Sequence, residues 1–163
     1  MEIKKLESVL AEQLRLLESL LAVLNRETGE LAEIHLDAIS EINLQKEKLT
    51  SSIDAYTSPL RQAIGEAVSR EGLPPTATLR ELAARLKAKG NREIPRLHKE
   101  LNKIASQIQQ VAEVNRDIAE RFAESVTTSL TLLTRLINQS NTYGASGGYQ
   151  QQVVRSVMIN REA

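Results

Sequence analysis

From Ile94 to Leu136 an apolar or small residue recurs at alternating steps of three and four: Ile94, Leu97, Leu101, Ile104, Ile108, Val111, Asn115, Ile118, Phe122, Ser125, Ser129, Leu132 and Leu136. A helix turns once per 3.6 residues, so this series draws one nearly straight stripe down one side. No Gly or Pro interrupts it after Pro95. A stripe of this length predicts a coiled-coil-like rod, and such a rod needs another helix to cover it.

A second series precedes it. Leu10, Leu14, Leu17, Leu21, Leu24, Thr28, Leu31, His35, Ala38, Ile42, Gln45, Leu49, Ser52 and Tyr56 keep the same spacing, and Leu60, Ile64 and Val68 resume the pattern past Pro59. The seam holds phase across Gly29, which predicts one helix over about 2–70 with weak points at Gly29 and Pro59. Gly72-Leu73-Pro74-Pro75 is the clearest break. Thr78-Leu79-Arg80-Glu81 then has the spacing of a capping box opening a helix over 78–90, and Pro95 suits the first turn of a last helix over 93–140. The fold expected is all-α: a long antiparallel helical hairpin or coiled-coil bundle, with a short middle helix and a flexible C-terminal tail. Residues 1–140 form the helical domain and 141–163 the tail, whose Val153, Val154, Val157, Met158 and Ile159 suit a short amphipathic helix.

Composition narrows the function. Among 163 residues there are no Cys and no Trp, one Phe and three Tyr, with Lys plus Arg equal to Asp plus Glu at 21 each. Absence of Cys excludes disulfides, cysteine zinc sites and thiol catalysis, and suits a reducing compartment. A balanced charge speaks against nonspecific nucleic-acid binding. No run of about 18 uncharged apolar residues is present to cross a membrane, and Met1-Glu2-Ile3-Lys4-Lys5 reads as the start of an amphipathic helix, not a secretory signal. The two histidines, His35 and His98, have Ala32 and Pro95 three residues before them, so the Glu-x-x-His pattern of di-metal bundles is missing. His35 is read as a hydrogen-bonded seam residue. No phosphate loop or Ser-His-Asp arrangement is legible. No cofactor, no metal and no catalytic residue is expected.

The basic cluster Arg85, Lys87, Lys89, Arg92, Arg96, Lys99 and Lys103 is broken by Glu93 and Glu100 and has no interleaved aromatics. It reads as a solvated face opposite the more acidic first arm, selecting the pairing of the two arms. Asn115, inside the stripe, reads as a register-fixing polar residue. In an antiparallel hairpin the start of the first arm lies beside the finish of the last. The Leu-rich stretches Leu14–Leu24 and Leu130–Ile137 should then meet at one end with more apolar surface than two helices can hide. The surplus must face the short helix, the tail, a second copy or a client. Leu130, Leu133, Leu136 and Ile137 are the candidate client-binding residues, with the tail as a cover when no client is present.

Four segments stand out together: Leu36-Asp37-Ala38-Ile39-Ser40-Glu41-Ile42 followed by Lys46-Glu47-Lys48-Leu49; Leu73-Pro74 and then Thr78-Leu79-Arg80-Glu81-Leu82; Val114-Asn115-Arg116 before the Ser- and Leu-rich run; and Thr142-Tyr143-Gly144 with Gly147. In these segments and their order the chain resembles the FlgN-type flagellar type III export chaperones. The last resembles the family's Tyr-Gly-Pro-x-Gly, with Ala145 where the family has Pro. The resemblance implies a cytoplasmic, non-enzymatic chaperone that binds helical C-terminal segments of the hook-associated junction proteins. It would prevent their premature assembly and deliver them to the flagellar export gate protein. Tyr143, Gly144 and Gly147 are the residues it suggests for gate docking; for Tyr143 a staple on the last helical turn is the structural alternative. The competing reading is a structural coiled-coil dimerisation or spacer module, a homodimer that binds no client.

Overall fold

The computed structural model describes residues 2–140 and is all-helical over them: α1 (Glu2–Glu33), α2 (Leu36–Arg70), α3 (Leu79–Ala88) and α4 (Glu93–Ser140). The chain divides into two compact units, Met1–Arg121 and Phe122–Ala163. The first unit is a bundle. Leu6, Leu10 and Leu14 of α1 pack with Ala63, Ala67 and Val68 of α2, Leu82, Ala83 and Leu86 of α3, and Ile94 and Leu97 of α4. Each fully buried Leu or Ile here contributes roughly 1.5–3 kcal/mol. The alanines on α2 let its backbone come close to its neighbours.

The short middle helix is built as its sequence predicts. The Thr78 hydroxyl accepts the Glu81 backbone N–H, and the Glu81 carboxylate accepts the Thr78 backbone N–H at 2.6 Å. That backbone bond, with a second from the Thr78 hydroxyl, holds the Glu81 carboxyl below its ordinary range. Lys89 extends the anchorage with an ion pair to Glu71 at 2.7 Å.

The first arm is two helices, not one. α1 ends at Glu33, α2 begins at Leu36, and both Gly29 and Pro59 lie inside continuous helix. The reversal falls at Ile34, whose φ of 59° is left-handed. The His35 N–H donates to the Glu30 carbonyl at 3.0 Å and the Ile34 N–H to the Leu31 carbonyl at 3.3 Å. These bonds form a Schellman stop, a motif in which glycine is the usual left-handed residue. The physical reason for the turn is partnership. A rod of nearly 70 residues would stretch on the order of 100 Å, whereas α1 and α2, at 32 and 35 residues, match in length and cover each other.

The turn also resets every direction. Lys5 pairs with Glu66 at 2.8 Å and Arg26 with Glu41 at 3.4 Å, so α1 and α2 are antiparallel. Asn91 bonds Glu7 at 2.9 Å and Asn115 bonds the Leu24 carbonyl at 2.9 Å, so α4 runs parallel to α1. The start of α1 therefore lies beside the start of α4, contrary to the antiparallel arrangement of first and last arms expected above. The charges pair as expected only in part: Arg85 and Lys89 of the basic cluster meet Glu71, whereas Arg96 bonds Glu93 and Glu100 on its own helix, and Lys5, Arg26 and Lys46 join α1 to α2.

A β-branched residue in the left-handed region is strained by roughly 1–2 kcal/mol. Ile34 is half exposed, so packing returns little of this. Glycine's extra freedom in the unfolded chain takes back about 0.5–1 kcal/mol. Ile34→Gly is accordingly expected to stabilise the bundle by about 0.5–1 kcal/mol, read as a raised urea midpoint at unchanged slope. A lowered midpoint would show that the Ile34 side chain contributes more than its exposure indicates.

Candidate binding face

Two regions depart from an ordinary packed bundle. In the first unit, a polar cluster ties α4 to the α1–α2 hairpin. Asn115 is buried; its amide nitrogen donates to the Leu24 carbonyl and to Glu27 Oε2, each at 2.9 Å, and its Oδ1 accepts the Thr28 hydroxyl at 2.6 Å. The other carboxylate oxygen of Glu27 accepts from Lys46 Nζ on α2. All hydrogen-bonding capacity of the Asn115 amide nitrogen is thus used against α1, which is how a buried Asn fixes register. This cluster floors an open cleft of about 360 Å³, lined also by Leu31, Ile39 and Asn43 of the hairpin and by Ala112, Arg116 and Ala119 of α4.

Within this unit the Leu-rich stretch of α1 holds no surplus. Leu14, Leu16, Leu20 and Leu24 are buried, and Leu17 and Leu21 are half-buried, because α1 is covered on more than one side. The apolar surplus expected on the first arm is therefore absent from α1. His35 stands on the exposed turn, not in the seam, with Nδ1 at 2.8 Å from Glu30 Oε2.

In the second unit, every residue from Phe122 to Ile137 is exposed. The four residues singled out for client binding, Leu130, Leu133, Leu136 and Ile137, are 55–62 % exposed. The helix places them on one side, with Phe122, Val126 and Leu132 joining them. Val126 lies off the three-four ladder, as Leu130 and Leu133 do, but stands before the Leu-rich run that drew attention to them; plotting the residues by helical angle recovers it. Monomeric proteins rarely leave a contiguous apolar face of this kind bare. Tyr143, Gly144 and Gly147, and the tail with Val153, Val157 and Met158, lie outside the described residues.

Among the described residues the protein is all-α, with an exposed apolar helical face of the kind on which amphipathic helices dock. A family model described as FlgN protein matches residues 1–151, and the chain belongs to the FlgN family. No curated protein and no solved structure matches the chain.

Proposed function

We propose that this protein is a cytoplasmic chaperone of flagellar type III export that binds hook-associated junction proteins through Leu130, Leu133, Leu136 and Ile137. Family membership implies a flagellar export chaperone. The observation that carries the finer reading is the bare apolar face of α4 in the second unit. An amphipathic helix from a client can lay its own apolar side on that face, hiding two surfaces that would otherwise drive self-assembly. Client release then needs no chemistry, and we assign no catalytic residue and no cofactor. We further propose that Tyr143, Gly144 and Gly147 dock the loaded chaperone at the export gate, Tyr143 supplying contact area at low entropy cost.

The same face could instead join two copies of the chain, as the spacer reading holds. Mixing the protein with a hook-associated junction protein at micromolar concentration and resolving the mixture by size exclusion separates the two. A co-eluting complex with one chaperone per client is expected. A chain that elutes as a concentration-independent dimer and leaves the junction protein free would reject the proposal in favour of the spacer.

A further inference from the structure

The run from Ser125 to Thr134 contains no Asp, Glu, Lys, Arg or His. It covers about 15 Å of helix. At about 100° per residue, Phe122, Ser125, Val126, Ser129, Leu130, Leu132, Leu133, Leu136 and Ile137 fall within an arc of roughly 160°. The bordering charges Glu124 and Arg135 point to the reverse side by the same construction. Within this run the positions that flank the face are occupied by Thr127, Thr128 and Thr134. Over these three turns the face thus lacks the rim of charge that sets partner choice in most helix pairs, Arg121 being the nearest charge at its edge and preceding the run.

Four hydroxyls of the run are engaged with their own helix: Thr127 donates to the Ala123 carbonyl, Ser129 to Ser125, Thr131 to Thr127 and Thr134 to Leu130, all at 2.8–2.9 Å. A partner can therefore cover Ser129, at the centre of the face, without leaving its donor unsatisfied. A partner that brought Lys or Glu into this contact would strip water from a charge and meet no counter-charge on these ten residues. One other charge-free run of similar length occurs in α4, Ile104–Ala112. It lies where the helix packs in the first unit, with Ile104 against the core and Ile108 and Val111 half-buried.

From these observations we infer that the occupant of this face is an amphipathic helix whose contacting side is uncharged for about three turns, held by apolar contact without ion pairs. This rests on the client-binding reading above and specifies the chemistry of the client segment. The affinity should then be nearly blind to ionic strength, because screening acts only on charges.

The test titrates the full chain with the C-terminal segment of a hook-associated junction protein by calorimetry, at about 50 mM and about 500 mM salt, where the Debye length shrinks from roughly 14 Å to 4 Å. Less than a threefold change in Kd is expected. Ser129→Lys, at the centre of the face, should weaken binding by at least about thirtyfold, and Thr131→Lys, on the reverse side, by no more than about twofold. Binding that weakens tenfold or more with salt, or that is indifferent to Ser129→Lys, overturns this inference and leaves the chaperone reading standing. Absence of a complex at both salt concentrations overturns both. Self-association of the chain that Ser129→Lys abolishes, with no client bound, assigns the face to a second copy and also overturns the inference.

Discussion

Replacing Lys46 with alanine is expected to destabilise the bundle by about 2–4 kcal/mol, close to the cost of breaking a buried ion pair from one side. Glu27 is the reason. Its side chain is 9 % exposed, and Lys46, whose side chain is 27 % exposed, supplies the cation that meets it. With Lys46 gone, the Glu27 carboxylate keeps only the Asn115 amide at 2.9 Å. A single neutral donor does not offset the desolvation of a full charge. Glu27→Gln in the same background should recover most of the loss, because the amide retains a hydrogen-bonding oxygen for Asn115 and carries no charge to desolvate. Urea denaturation of the single and double variants measures both effects. A Lys46→Ala variant within about 0.5 kcal/mol of the parent, the range of ordinary surface changes, would mean that water reaches Glu27 through the neighbouring cleft.

This cluster also marks how far the sequence could be read. Asn115 stood out because a polar residue in an otherwise apolar ladder has few roles besides fixing register. That the register was with Leu24 and Thr28, in parallel, could not be seen, because periodicity gives the face of a helix and not the direction of its neighbour. The boundaries of α3 and α4 were legible from Thr78, Glu81 and Pro95, each of which acts within one turn of the chain. The stop at Ile34 was not, since Glu30 to Leu36 contains neither Gly nor Pro and the seam passes through His35 in phase. Tertiary pairing imposed a left-handed conformation on a residue that resists it. One missed reversal was enough to move the Leu-rich part of α1 from a predicted surface into the core.

The apolar face of the second unit was expected from an antiparallel pairing of the first and last arms that the structure does not show; the face is exposed all the same, because its Leu-rich run is broader than a single stripe. Its largest consequence is for binding. Changing Leu130 and Leu133 together to serine should weaken association with a hook-associated junction protein at least a hundredfold, since central apolar anchors contribute about 2 kcal/mol or more each. The same pair should leave the thermal midpoint within about 2 °C of the parent, because both side chains are exposed in the free protein and surface substitutions fall within about 0.5 kcal/mol. Leu20→Ser and Leu24→Ser supply the contrast. Both leucines are buried, and truncating either, with a hydroxyl left in the core, should cost about 3–5 kcal/mol of stability. Binding and stability are thereby assigned to different leucines of one chain. If the Leu130/Leu133 pair binds as the parent does, the client must use other apolar surface, and in the first unit Ile34, Leu36, Leu44 and Val114 are the large exposed side chains left to serve it.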